Sequence, residues 1–327
     1  MTSFLKRILL ACGATVTMLA VGEGVCRLLS GASGADKIET TPWWKGDFYR
    51  LSSGVGYEII PSVSGQVNSL GMRGEERPAQ KPDGGFRVLV LGDSIAFGVG
   101  VGAGDTFSAQ LEKILREKLT PRYVDVLNAG VSGYNTIQER IAYQRRAEQT
   151  KPDAVVLAYC PNDIDSTPML FKSGDSFCFL VPGREPVTYP AALIENSALF
   201  RRVVVTLEAL RQKSETPAQS KQRNLDELRA LARDLDAKKT PFVVIVFPYL
   251  LEALTKYPQA NVELHQAVKS VVEENHGVAI DMLAIWRDRD HRALKNRLDP
   301  NDYVHPNEAG HKEAATLLAG AILSKLK

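Results

Sequence analysis

Arg87-Val-Leu-Val-Leu91, followed at once by Gly92-Asp93-Ser94-Ile95, decides the fold. The first five residues are rich in β-branched and aliphatic side chains without polar alternation. That is the pattern of a strand buried on both faces of a parallel sheet. Gly92 lets the backbone turn sharply at the strand's carboxyl end, which is where open α/β sheets place their chemistry. Ser94 stands in that turn as a candidate nucleophile. Equally, Asp93 or Ser94 does no more than cap a helix. Taken alone, Gly-Asp-Ser leaves the two readings level.

Outward from this stretch, strands and helices alternate. Asp105 or Thr106 caps a helix with the buried stripe Phe107, Leu111, Ile114 and Leu115. Tyr123 to Leu127 is a second strand, ending in Asn128-Ala-Gly130-Val-Ser-Gly133; a capping box over Thr136 to Glu139 then opens a helix. Gly133 therefore precedes a helix N-terminus, where its N–H can meet an anionic oxygen, or it serves only a positive φ. Ala154 to Tyr159 is a third strand, and Pro161-Asn162-Asp163 follows its end. Asn162 either holds a turn or aims its amide into a cleft. Phe242 to Phe247 and Gly277 to Ile280 complete five strands, with helices between them. This alternation predicts a parallel sheet with right-handed crossovers, covered on both faces. Gly98-Val-Gly100-Val-Gly102-Ala103 fits a dinucleotide fingerprint by letters. It begins too far past the strand, and no acidic residue closes the next strand, so that reading is rejected.

Near the C-terminus, Asp302-Tyr-Val-His305 lies in a loop between Pro300 and Pro306, before a helix capped by Asn307. A carboxylate three residues ahead of a histidine can hold its Nδ1–H and leave Nε2 free. The remaining histidines, His265, His276, His291 and His311, lack a paired motif and are expected to be solvated. Gly92-Asp93-Ser94, Gly133, Asn162-Asp163 and Asp302 to His305, in this order, resemble the four blocks of the SGNH (GDSL) serine hydrolase family. The resemblance spans residues 87–305. It departs at Cys160, where the third block carries glycine, and at Ile95, where the first carries leucine; neither change removes a reacting group. The resemblance implies a three-layer α/β fold with a five-stranded parallel sheet in the flavodoxin-like order 2-1-3-4-5. It implies Ser94 as nucleophile, His305 as base, Asp302 as its orienting acid, and an oxyanion hole from Ser94, Gly133 and Asn162. Asn68 to Gly74 also resembles the lead-in of membrane-anchored bacterial members. The Gly-x-Ser-x-Gly elbow is absent, which argues against the other large hydrolase fold.

The rest of the chain sets the surroundings. At 327 residues it accommodates one large domain with appendages. A net charge of +2 without a basic stripe and interleaved aromatics argues against nucleic acid. The four cysteines and five histidines show no metal-ligand spacing, so neither metal nor cofactor is expected. A Cys160–Cys178 disulfide stays open for an exported domain. Lys6 and Arg7 precede an apolar run from Ile8 to Gly22, so the N-terminus is cytoplasmic and the remainder exported. Apolar residues resume after Glu23, which favours an uncleaved anchor over a signal peptide cut near Ala20-Val21-Gly22. The expected organisation is an anchor or signal over 1–35, a connecting lobe over 36–86, and a hydrolase domain over 87–327. The lobe's Trp43, Trp44, Phe48 and Tyr49 form a satellite core, and its linker spans Pro78 to Gly85. An insertion at 164–220 is read as a lid over the Ser94 cleft. The expected function is an exported serine ester hydrolase acting on a small ester or acylated glycan. The alternatives are a polysaccharide O-acetyltransferase or deacetylase on the same site, and a non-catalytic glycan-binding protein. No feature speaks to oligomeric state.

Overall fold

The computed structural model describes residues 3–33, 47–165, 169–211, 215–251, 253–296, 298–299 and 301–326. Trp43, Trp44 and Pro300 lie outside them. The chain opens with helix α1 (Ser3–Ser33) and a hairpin of β1 (Tyr49–Ser52) and β2 (Gly56–Ile59). Then come β3 (Phe86–Gly92), α2 (Ser94–Phe97), α3 (Phe107–Lys118), β4 (Val124–Asn128), α4 (Thr136–Thr150) and β5 (Ala154–Tyr159). A second antiparallel group follows: β6 (Met169–Ser173), β7 (Ser176–Leu180) and β8 (Val187–Pro190), with helices α5 (Ala191–Asn196) and α6 (Ala198–Arg211). The chain ends with α7 (Pro217–Ala237), β9 (Phe242–Val246), α8 (Gln259–Glu273), β10 (Val278–Asp281), α9 (Met282–Trp286) and α10 (Glu308–Lys325).

Five strands pair in parallel in the order β4-β3-β5-β9-β10. Numbered along the chain, this is the 2-1-3-4-5 order expected. All seven residues of β3 are buried, because successive side chains enter two different cores. Val88 and Val90 join Phe107, Leu111, Leu115, Leu318 and Ile322 on the face covered by α3 and α10. Leu89 and Leu91 join Tyr143, Leu228, Leu231 and Val268 on the face covered by α4, α7 and α8.

Arg87, at the amino end of β3, is completely buried with Asp125 of β4, 2.6 Å away. A buried guanidinium is tolerated only with its donors filled. Nε and Nη2 both donate to Asp125 (2.8 and 2.6 Å), Nη1 donates to the carbonyls of Ala79 and Thr150, and Nη2 also to that of Pro78. The charge at the head of an otherwise apolar strand thus fastens the segment before β3 beneath the sheet.

Contact density divides the chain into two units: Asp47–Ser166 with Thr216–Lys327, and Met1–Gly46 with Thr167–Glu215. In the first, residues 47–74 pack directly around the β4–α4 loop. The Tyr57 hydroxyl donates to Ser132 O (2.7 Å), the Tyr134 hydroxyl to Tyr57 O, and Gln138 Nε2 to Val55 O (2.7 Å). In the second, β6, β7 and β8 form an antiparallel sheet with a small core of Phe177, Phe179, Ala191, Ile194 and Val204.

Two details differ from expectation. The N-cap of α4 is Asn135, in a capping box with Gln138, not Thr136 with Glu139. Glu139 is turned inward instead and is buried. Cys160 and Cys178 each carry a free thiol, so a bond between them is not formed.

Candidate active site

Gly92 has φ +141°, and a Cβ there would stand 2.7 Å from Ala158 O and 2.8 Å from Ala96 Cβ. Only glycine lets β3 turn this tightly beside β5. Asp93 then caps α2: its Oδ1 accepts the Ile95 N–H at 2.8 Å. The capping reading of Gly-Asp-Ser therefore holds at Asp93. Asp93 is the cap, and Ser94, the first residue of α2, keeps its hydroxyl for another partner.

That partner is His305. Its Nε2 lies 2.8 Å from Ser94 Oγ, and its Nδ1 lies 2.7 Å from Asp302 Oδ2. Asp302 Oδ1 accepts the backbone N–H groups of Val304 and His305 at 2.9 and 3.0 Å. Burial works against ionisation of Asp302. The hydrogen bonds from His305, side chain and backbone, outweigh it and hold the carboxyl well below the usual carboxylate range. An ionised Asp302 fixes a proton on Nδ1 and presents Nε2 to Ser94 as an acceptor.

Asn162 follows β5 in the short turn Pro161–Ile164. Its amide donates to Asp93 Oδ2 at 2.9 Å, and the same oxygen lies 3.4 Å from Ser94 Oγ. Gly133 has φ +79° in the β4–α4 loop, whose Val131 N–H donates to Gly92 O at 3.0 Å. Ser94, Asn162, Asp302 and His305 are thus brought together directly. Gly133 is placed in the loop bonded to the turn that carries Ser94.

Two supporting residues escaped sequence reasoning. Asn296 donates through Nδ2 to Asp302 Oδ2 (3.1 Å) and through its backbone N–H to His305 O (3.0 Å). It sits so close to Gly100 that a Cβ there would be 2.2 Å from Asn296 Nδ2. This explains a glycine that dinucleotide binding did not. Arg73 donates to the carbonyls of Phe97, Gly98 and Val101 (2.8–2.9 Å), buttressing the segment after Ser94. No spacing rule links Asn296 to Asp302 or Arg73 to Ser94; only the folded chain does.

Under the site, Asp93, Glu139 and Asp163 are all buried. Burial first, then the Asp93 charge, pushes the Glu139 carboxyl far above its ordinary value. For Asp163, burial and then Glu139 and Asp93 raise it, against the lowering bond from the Cys160 N–H. The sign for Glu139 follows from linkage. Its folded value lies above the unfolded one, so its contribution is intact below the ordinary carboxylate range and declines as pH rises through the interval between the two. Glu139→Gln is accordingly expected to gain stability over the parent from pH 5 to pH 8, by up to about 1.4 kcal/mol per pH unit. Urea midpoints across that range check this, and a parallel pH dependence in both proteins would refute it.

The other histidines correct the solvated expectation in three cases. His311 is fully buried, stacked on Phe107, and its Nδ1 accepts the Phe107 N–H. Burial first, then the Arg73 and His305 charges, push its pKa down to about 3. His265 is buried against Asp281 at 2.8 Å, and His291 is also buried. His276 is exposed. Among the described residues no group of His, Cys, Asp and Glu has the arrangement of a metal site.

The sequence profile described as the GDSL-like lipase/acylhydrolase family matches residues 90–313. No curated protein matches by sequence. Among solved structures, the chain is similar to a catalytic mutant of Axe2, an acetylxylan esterase from Geobacillus stearothermophilus. The identity is 18%, with 75% of this chain and 95% of that one covered and a TM-score of 0.47. It is similar to a two-domain esterase active on acetylated mannans, with 15% identity, 74% and 49% coverage and a TM-score of 0.46. It is also similar to the lipase Lip_vut3 from a goat rumen metagenome, with 14% identity, 72% and 97% coverage and a TM-score of 0.46.

Proposed function

The chain belongs to the GDSL-like lipase/acylhydrolase family, and from that premise we propose that it is a carboxylic ester hydrolase working through an acyl-enzyme on Ser94. The observation that carries the reading is the continuous relay from Ser94 Oγ to His305 Nε2 and from His305 Nδ1 to Asp302, at 2.8 and 2.7 Å. Ser94 Oγ attacks the ester carbonyl carbon while its proton passes to Nε2. Asp302 stabilises the imidazolium and does not itself take the proton. Collapse of the tetrahedral intermediate breaks the carbon–oxygen bond to the alcohol, which leaves with the proton from Nε2. Water, deprotonated by the same nitrogen, then releases the acid and restores Ser94.

The oxyanion is assigned to the N–H groups of Ser94 and Gly133 and the amide of Asn162. Asn162 carries a second amide hydrogen beyond the one given to Asp93, which supports its part. Asn162→Ala is expected to lower kcat about a hundredfold or more, with KM changed far less. A wild-type kcat on p-nitrophenyl acetate would remove Asn162 from the hole.

We also assign α1 as an uncleaved anchor that places the rest of the chain outside the cytoplasm. Its support is a helical stretch from Lys6 to Leu28, 23 residues long, that opens with the basic pair Lys6 and Arg7 and is mainly apolar from Ile8 onward. For an exported site, the substrate class we assign is a small ester or acylated glycan. The test is full-length protein incubated with acetylated xylan and mannan oligosaccharides, following free acetate and acetyl moved to a second glycan. Release of acetate supports the hydrolase; transfer in excess of release makes it an O-acetyltransferase; neither, with no fluorophosphonate labelling of Ser94, leaves a glycan-binding protein.

A further inference from the structure

Helix α6 has two apolar faces, and the small core it shares with β7 and α5 covers only one. On one side Ala198 and Val204 are buried, and Glu208 accepts from the Tyr189 hydroxyl of β8. On the other, Leu199, Val203, Leu207 and Leu210 recur at helical spacing. Val203, Leu207 and Leu210 are exposed by 46, 45 and 70%. A helix lying on a soluble unit turns a polar face outward; this stripe does the reverse.

Its neighbour identifies what covers it. Glu23 of α1 accepts the Ala198 and Leu199 N–H groups (both 3.0 Å) and the Ser197 hydroxyl (2.8 Å). Arg27 pairs with Glu23 at 2.7 Å and donates to Asn196 O at 2.8 Å. Leu199, the first member of the stripe, packs on Gly22, where a Cβ would stand 3.2 Å from its Cδ2. The exposed face of α6 is therefore continuous with the apolar surface of α1. At 1.5 Å per residue, Lys6–Leu28 is roughly 35 Å long, slightly more than a bilayer's hydrocarbon core. Glu23, about 7 Å short of Leu28, falls within about one helical turn of the outer edge of that core, and α6 starts near that level. Arg202, exposed beside the stripe, suits an anionic headgroup.

We propose that the outward face of α6 lies in the outer-leaflet boundary of the membrane spanned by α1, making residues 169–211 a lipid-seated platform. The proposal rests on α1 being retained as an anchor. The experiment uses the full chain in phosphatidylethanolamine/phosphatidylglycerol vesicles, with and without brominated acyl chains. Leu207→Trp and, in parallel, Val203→Trp are compared with Arg184→Trp in the exposed β7–β8 turn, each as a difference spectrum from the parent. Added emission at 207 or 203 is expected to be blue-shifted and quenched about twofold or more by bromine, as for a side chain at the headgroup–acyl boundary, and that at 184 unchanged. Water-like, unquenched emission at both stripe positions overturns the proposal. Blue-shifted but unquenched emission also overturns it and gives the face to a second copy of the chain. Recovery of the parent after carbonate washing as a soluble chain lacking α1 fails the anchor reading as well; retention of α1 with unquenched tryptophans fails only this one.

Discussion

Ser94→Ala is expected to lower kcat/KM on p-nitrophenyl acetate by about four to six orders of magnitude, or roughly 5–8 kcal/mol of transition-state stabilisation. The hydroxyl is the only atom removed, and Asp93, not Ser94, caps α2 through the Ile95 N–H. The thermal midpoint should therefore stay within about a degree or two of the parent's, as for a substitution that disturbs no core or cap. His305→Ala is expected to cause a similar loss, because without Nε2 nothing takes the proton from Ser94. The double substitution should cost little more than either alone, since the two groups act as one unit. Additive losses, or Ser94→Ala retaining parental turnover, would show that the 2.8 Å contact is not the nucleophile–base pair.

The second large effect is on stability. Arg87→Ala is expected to cost about 3–5 kcal/mol, because it leaves Asp125 buried without its counter-charge. It also strands carbonyls of Pro78, Ala79 and Thr150 that Arg87 satisfies. Arg87→Met combined with Asp125→Leu removes both charges and should recover the part of that loss that comes from the unpaired carboxylate, leaving the part that comes from the three carbonyls. Urea midpoints of the two variants decide it: an Arg87→Ala midpoint equal to the parent's would mean the pair contributes nothing. Neither variant approaches Ser94, so kcat of the folded fraction should be unchanged.

Much of this was legible in sequence, for identifiable reasons. A parallel strand buried on both faces has an unmistakable composition, so β3, β5 and β9 were found within a residue or so. The strand order came from the resemblance, because helical crossovers of similar length fit several orders. Asp302 and His305 were legible as a local pair. Their meeting with Ser94, 211 residues away, was legible only through four blocks in series. The misses also have physical causes. His311, read alone, has no partner motif and reads as a surface residue. It continues the stripe of Ala314, Ala315, Leu318 and Ile322, a period that predicts burial. The β6–β7 hairpin has its own signal in the sequence: Gly174-Asp175, flanked by Phe171 and Phe177, is a two-residue turn. Glu139 reads as a capping acid because the box fits Thr136 as readily as Asn135, and a shift of one residue turns it from solvent to interior.

Gly100 and Asn296 interlock without room for a methyl group, although 196 residues separate them in the chain. The loop bearing Asp302 and His305 is therefore not an independent cassette. Grafting it into a relative, or exchanging it to alter substrate range, succeeds only when the glycine-bearing segment after Ser94 travels with it, so in recombination the two segments are inherited as a single block.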